Sequence, residues 1–391
     1  MESGALKNLY ARVIYLASCT LADKCPDRET LGECDAEKLY LAAKRHNIGT
    51  LVAASLERLG LASDNMRIDT SRMIRKIMLL DAERGEIIRE LESRGIRYMP
   101  LKGIIIKELY PKIGLREMSD NDILFDSEYR AAVRDVFRER GYSVSSYGKE
   151  KNHDAYVKAP VYNYERHVSL FGSRMLGDAF LEYFDGAFER AVGDGLCYRM
   201  TNEDFYIYMK AHEYKHYVMS GVGLRLFADA AVFMSKYGDT LDRDYVSAVC
   251  EKIGIADFER VSASLAKKLF DLDIAAALCR GERVLSGEEE ELFLYCSGSG
   301  AYGFISQNVQ NELARFDDKS GKGRFLKTRY VWHRLFPPKE WYRTYSPFAY
   351  EHAFARPFVL VGRFFKTLFV APRKLTVSFL AVVKYKDKKR K

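Results

Sequence analysis

Apolar residues recur at three- and four-residue intervals through the first quarter of the chain. Leu39-Tyr40-Leu41-Ala42-Ala43-Lys44 and the run from Gly49 to Leu59 both carry that spacing, which predicts helices across residues 1–95. The longest is expected over about 68–94, stopped at Arg94-Gly95. The period then changes. Ile96 to Leu101 reads as a strand ending in Lys102-Gly103, and Ile104 to Tyr110 as a short helix stopped by Pro111. Ser119 to Phe125 reads as a second strand and Ser127 to Gly141 as a helix closed by glycine. Further strands are predicted over Tyr142–Tyr147, Asp154–Lys158 and Tyr164–Phe171. This order describes a compact α+β unit of roughly 100 residues.

From Thr201 the helical period returns. Thr201-Asn202-Glu203-Asp204 is an N-cap signal for a helix to Gly221, and helices continue to about residue 312. A polar stretch, Asp317 to Gly323, reads as a mobile loop, and Leu335-Phe336-Pro337-Pro338 as a rigid turn. The expected organisation is a helical region over 1–80, an α+β core over 81–200, a helical domain over 201–315, and a loop with a basic, aromatic C-terminal region over 316–391.

Composition narrows this picture only a little. With 48 % hydrophobic and 30 % charged residues the chain reads as an ordinary globular protein, and 13 % aromatics allow a large core. The net charge is +8, but much of it sits in Lys384 to Lys391. The body has no dense Lys/Arg stripe interleaved with aromatics, so nucleic acid is not supported as a partner. Seven irregularly spaced cysteines without a C-x-x-C argue against a disulfide framework or a zinc ribbon. Together with an N-terminus lacking a basic start and an apolar run, they favour the cytoplasm. The nearest approach to a membrane span, Pro357 to Val383, is broken by Arg363, Lys366, Arg373 and Lys374. Two readings stay open for it: a terminal helix pair packed on the body, or a basic amphipathic segment in peripheral contact with an anionic membrane.

Candidate chemistry centres on Asp120 and Asp122. One residue apart on a strand, both carboxylates point to the same side. Paired hard oxygens of this kind suit Mg²⁺ carrying a nucleoside triphosphate. The spacing alone is weak, because Asp242-Arg243-Asp244 and Asp271-Leu272-Asp273 repeat it, but those copies fall in helical contexts where i and i+2 diverge. A rival motif is His212-Glu213-Tyr214-Lys215-His216, which matches H-E-x-x-H and would suit a zinc peptidase with Glu213 as base. It lacks the extended form, since position 222 is Val. Arg225 and Asp229 are four apart on a helix and read as an ion pair or a substrate contact.

The order Leu101-Lys102-Gly103, short helix, Tyr110-Pro111, then Leu115-Arg116-Glu117-Met118-Ser119-Asp120-Asn121-Asp122-Ile123-Leu124, resembles the bacterial nucleotidyltransferase-like proteins of the polymerase-β superfamily, the family 5 group. His46 to Leu51, His212 to His216, Leu224 to Asp229 and Leu335 to Pro338 are similar to that group's flanking helical motifs, so the resemblance spans about 38–363. It implies an α+β fold: a small mixed sheet flanked by N- and C-terminal helical regions. It also implies a third carboxylate on a later strand, at Glu165 in Tyr164-Glu165-Arg166-His167. The implied activity moves an NMP from an NTP to a hydroxyl or phosphate of a small molecule, peptide or protein. Asp120, Asp122 and Glu165 would hold Mg²⁺ or Mn²⁺, and Glu165 would accept the acceptor's proton. Lys102, the Gly103 amide and Arg116 would meet the triphosphate, with Arg116 alternatively clamping the aspartates. His167, His212, His216, Arg225 and Asp229 are implied as substrate contacts or structural residues. Two departures stand out. Many superfamily members have Gly-Ser where this chain has Lys102-Gly103, and Asn121 replaces the usual apolar residue between the aspartates, where its amide needs partners on the sheet's other face. A non-catalytic nucleotide-binding scaffold on the same fold is therefore the alternative.

Overall fold

A computed structural model describes residues 3–146, 153–167, 169–172, 177–301, 309–313, 326–339, 341–342, 346–370 and 372–385. The chain forms two compact units, Met1–Lys215 with Gly223–Ala301, and His216–Val222 with Tyr302–Lys391.

The first unit opens with helices α1 (Ser3–Leu21), α2 (Arg28–Leu31), α3 (Ala36–Lys44) and α4 (Gly49–Arg58). Every residue of α1 from Val13 to Thr20 is buried, so this helix is covered on all sides and not on one face alone. Helix α5 (Asp64–Ser93) starts four residues earlier than expected, because Ser63 caps it by accepting from the Met66 amide. Strand β1 (Tyr98–Pro100) leads through Lys102 into α6 (Gly103–Ile106) and a turn of 3₁₀ helix, Lys107–Leu109. Then come β2 (Asn121–Phe125), α7 (Arg130–Glu139), β3 (Ser143–Ser146), β4 (His153–Lys158) and β5 (Tyr162–His167). The remaining elements are α8 (Asp178–Asp185), β6 (Val192–Asp194), β7 (Cys197–Arg199), α9 (Asn202–Met219), α10 (Arg225–Tyr237), α11 (Arg243–Lys252), α12 (Ala256–Leu269), α13 (Leu272–Cys279) and α14 (Gly287–Ser299).

The fold is α+β. Its mixed sheet has seven strands in the order β3-β4-β5-β2-β1-β7-β6. β2 runs parallel to β5 and antiparallel to β1, and β1 runs parallel to β7. On one face of the sheet Ile123, Phe125, Tyr156 and Tyr164 pack against Ile87 and Leu91 of α5 and Val133, Val136 and Phe137 of α7. Phe137 stacks on Tyr156 with ring centroids 4.4 Å apart. Each fully buried side chain of this size is worth roughly 1.5–3 kcal/mol, so this layer fixes strand register firmly. The expected aspartate strand is shorter than its pattern suggested: it begins at Asn121, leaving Asp120 on the connection just before it. The hairpin β6–β7 had not been expected.

The second unit includes α15 (Leu326–Leu335), α16 (Pro347–Glu351), α17 (Arg356–Val370) and α18 (Pro372–Lys384). The loop expected at Asp317 to Gly323 lies outside the described residues. Among those described, no helix is long and apolar enough to cross a membrane.

Candidate active site

Strand alternation divides β2 and β5 into two chemistries. Asn121, Ile123 and Phe125 face α5 and α7, so Asp122 faces the other way. The parallel register places Asp122 beside Glu165, and Glu165 and His167 share Asp122's face. Asn121 is fully buried, and its side-chain oxygen accepts from Arg84 Nη1 of α5 at 2.9 Å. The oxygen of the polar residue between the aspartates thus has a far-face partner, while its amide nitrogen is buried without one among the described residues.

Asp122 is 6 % exposed. Its Oδ1 lies 2.7 Å from His167 Nε2 and 3.1 Å from Lys102 Nζ. His167 Nε2 is also 3.7 Å from Glu165 Oε2. Asp122, Glu165 and His167 bring ligand atoms within 4.8 Å of one another, the single such group of three among the described residues. Asp120 is outside that tight set, having no strand ladder to hold it, but feels its charge. Burial, then Asp122 and Glu165, push its carboxyl up to about 6. Burial and Asp122 also raise Glu165. Burial would raise Asp122 too, yet Lys102 and the His167 hydrogen bond hold it below the carboxylate range. Three crowded carboxylates and one imidazole form a donor set that fits a hard divalent cation, which would relieve their repulsion. His167 was expected only as a substrate or structural residue. Its place two residues after Glu165 on a strand was the signal for more.

Lys102 sits where the first strand turns into α6, at φ +44 and ψ −115. A side chain there is strained, and strain of this kind gathers at functional turns. A Cβ on Gly103 would come within 2.6 Å of Arg116 Nη1 and 2.9 Å of Met118 Sδ, so glycine is required for packing whether or not its amide meets a ligand. Helix α9 covers the carboxylate face. Tyr208, His212 and Lys215 lie on one side of it at four- and three-residue spacing. Burial and Lys102 lower the Lys215 ammonium, against Glu165 and Asp122, and its Nζ lies 5.9 Å from the Phe171 ring centroid. The Tyr208 hydroxyl is raised by burial despite Lys102, and Asp122 and Glu165 add to the rise. Lys76 of α5 approaches from another side, donating to Ser119 O at 3.4 Å, with its ammonium lowered by burial against the pull of Asp120. Neither Tyr208 nor Lys76 stood out in the sequence.

Arg116 does not clamp the aspartates. Its Nε and Nη2 donate to Asp229 Oδ1 and Oδ2 at 2.8 and 2.9 Å, and the Tyr110 hydroxyl donates to the same carboxylate at 2.8 Å. A bidentate pair so buried satisfies Arg116 and leaves it no free fork for phosphate. The helical pair expected between Arg225 and Asp229 is only a 4.0 Å contact. Arg225 instead donates to Glu117 O at 3.4 Å and helps hold the Asp120 charge. The neighbouring Glu117 accepts from the Thr50 amide at 3.0 Å, at the start of α4. His46, driven down to about 3 by burial, accepts from the Leu224 amide at 3.1 Å. The motifs at 46–51, 115–118 and 224–229 therefore form one buried frame behind the carboxylates.

The H-E-x-x-H stretch divides differently. Glu213 is buried, accepts from Lys210 Nζ at 3.1 Å, and is pushed up to about 7 by burial. Lys210 also reaches Ser262 Oγ at 3.1 Å. His212 lies with its ring 6.2 Å from that of Tyr208. His216 belongs to the second unit, where its Nδ1 is 3.1 Å from Ser220 Oγ. Glu213 is thus committed to the helical core, and a zinc-peptidase base is not offered to a substrate.

The profile of a family described as uncharacterised nucleotidyltransferase matches residues 32–271. No curated protein and no solved structure matches the chain. The profile covers more than half of the sequence, so the chain belongs to this nucleotidyltransferase family.

Proposed function

From that membership we propose that the chain transfers an NMP from an NTP to a hydroxyl or phosphate of a small molecule, peptide or protein, with release of pyrophosphate. The observation that carries this reading is the crowding of Asp120, Asp122 and Glu165 beside the strained Lys102 turn. Asp122 and Glu165, with Asp120 swinging in, would hold Mg²⁺ or Mn²⁺, which when bound neutralises phosphate charge and polarises the α-phosphate. His167 orients Asp122 through its 2.7 Å hydrogen bond. Lys102 offers its ammonium to the triphosphate, and Lys215, Lys76 and Arg225 supply positive potential around it. Glu165, raised by burial, receives the acceptor's proton as the new O–P bond forms and the Pα–O bond to pyrophosphate breaks. The same reading puts the chain in the cytoplasm, the compartment suited to seven free cysteines.

One observation favours a second reading. Lys102 already neutralises Asp122 at 3.1 Å, which lessens that carboxylate's need for a metal and supports a site that holds nucleotide without turning it over. Thermal melting with each NTP, with and without Mg²⁺ or Mn²⁺, tests both. We expect stabilisation only with the cation, lost in Asp120→Ala plus Asp122→Ala. Absence of a shift with every NTP sinks both readings. A shift without pyrophosphate release for any acceptor leaves only the second.

A further inference from the structure

The positive charge of this chain is concentrated at one end. Residues 352–391 hold eleven Lys and Arg and one acid, Asp387, a net of +10 against +8 for the whole chain, so the preceding residues sum to −2. The same segment forms α17 and α18 of the second unit. Their inner sides are occupied. Ala381 and Val382 pack with Val309, Leu313, Leu326 and Tyr330, while Val359 and Leu360 pack on Tyr342, Ala349 and Ala355.

Among the described side chains, apolar residues also face outward. Phe358, Val361 and Phe365, at three- and four-residue spacing on α17, are 76, 55 and 51 % exposed. On α18, Phe379, Leu380 and Val383 are 66, 46 and 55 % exposed. An ordinary surface helix turns its polar side outward, so this arrangement is inverted for water. α17 has 15 residues, a length of about 22 Å, which is short of the roughly 30 Å hydrocarbon core. Arg363 interrupts it, its guanidinium 4.8 Å from the Trp341 ring centroid at the flank of the apolar stripe. Such helices lie along a bilayer and do not cross it.

We propose that α17 and α18 dock this chain on the surface of an anionic lipid bilayer, with the exposed phenylalanines in the acyl boundary and the Lys and Arg residues at headgroup phosphates. Charge selects this occupant. A second copy would bring two segments of +10 together, which like-charge repulsion opposes. A nucleic acid is met by basic side chains, whereas the described outward positions are mainly Phe, Val and Leu. This docking is independent of the carboxylate site.

The test is sedimentation of the full-length chain with vesicles of neutral phosphatidylcholine, or of phosphatidylcholine with about a third phosphatidylglycerol. Each basic residue near an anionic surface is worth roughly fivefold in binding, so we expect at least tenfold preference for anionic vesicles, falling steeply with salt. Phe358→Ser plus Phe379→Ser should weaken binding tenfold or more. Deleting residues 386–391 should weaken it on anionic vesicles alone. The two phenylalanines lie on exposed positions, and an unchanged melting temperature confirms that the variants are folded. Equal binding to neutral vesicles, no sedimentation, or an unaffected phenylalanine variant overturns the proposal. So does a dimer in light scattering that the phenylalanine variant dissolves, or tighter binding to RNA than to anionic vesicles.

Discussion

Strands β2, β4 and β5 carry buried acids on both faces of the sheet, and the two faces treat them in opposite ways. Toward α7, Asp154 is fully buried and answered by two arginines: Arg166 Nη1 at 3.2 Å and Arg130 Nε at 3.0 Å. Arg166 also donates to Arg130 O at 3.1 Å, so the charges pair locally, although burial still lowers the guanidinium. Toward α9, Lys102 pairs directly with Asp122 and His167 with Asp122 and Glu165, while Asp120 feels Lys102 and Arg225 at longer range. Repulsion is left over there, and it surfaces as an Asp120 carboxyl pushed up to about 6. Folding alone would favour the first solution, since an uncompensated buried charge costs stability. The second is the arrangement that the proposed cation site requires.

The comparison breaks most sharply at Asp154. Replacing it with Ala leaves Arg166 and Arg130 without their anion in the protein interior, and we expect a loss of about 3–5 kcal/mol in urea unfolding. A loss under about 1 kcal/mol would mean that the compensated face is not compensated. Asp120→Asn should act in the other direction. It removes a like charge, and without divalent cation we expect a gain of roughly 1–3 kcal/mol at neutral pH. Stabilisation by Mg²⁺ or Mn²⁺ should shrink in the same variant.

The pH dependence follows from the sign of that shift. The folded pKa of Asp120 lies above its unfolded value. Its contribution is fully present below the unfolded pKa and is lost as pH rises through about 6. Asp122 is depressed, so its contribution is present above the unfolded pKa and is lost as pH falls through the folded one. The gap between Asp120→Asn and the parent chain should therefore open between about pH 4 and pH 6 and stay open above, in cation-free buffer. A gap that is flat with pH would show that Asp120 does not carry the repulsion.

Much of this contrast was legible in the sequence. Period two placed Asp122 and Asn121 on opposite faces, while Glu165 was pointed to by the family resemblance alone and its register with Asp122 came from the structure. The start of β2 was not legible, because hydrophobic pattern marks a buried face and not where the ladder of backbone hydrogen bonds begins. Strands β6 and β7 are three residues each, too short to show a period, although the loop Gly195-Leu196 between them, with glycine at its first position, is a hairpin signal. The pairing of Arg116 with Asp229 spans 113 residues, and no local pattern encodes it. In α9 the literal H-E-x-x-H match drew attention to Glu213, while Tyr208, which with Lys215 feels the Asp122 and Glu165 charges, stood in no motif.

The smallest expected effect separates two roles of one residue. Lys102 holds a backbone angle of φ +44 and donates to Asp122 at 3.1 Å. Lys102→Gly releases the strain, worth about 1–2 kcal/mol, but removes the ammonium that holds Asp122 ionised among its neighbours. These oppose each other, so the net change in stability should stay within about 1 kcal/mol. Lys102→Met removes the same charge and keeps the strained backbone. It should therefore be less stable than the glycine variant by about 1 kcal/mol, while both lose at least tenfold in affinity for NTP with Mg²⁺. If the two unfold alike, the turn is not strained in solution. If both keep their affinity, the lysine serves Asp122 alone, and the carboxylate face would then be compensated in the same way as the face behind it.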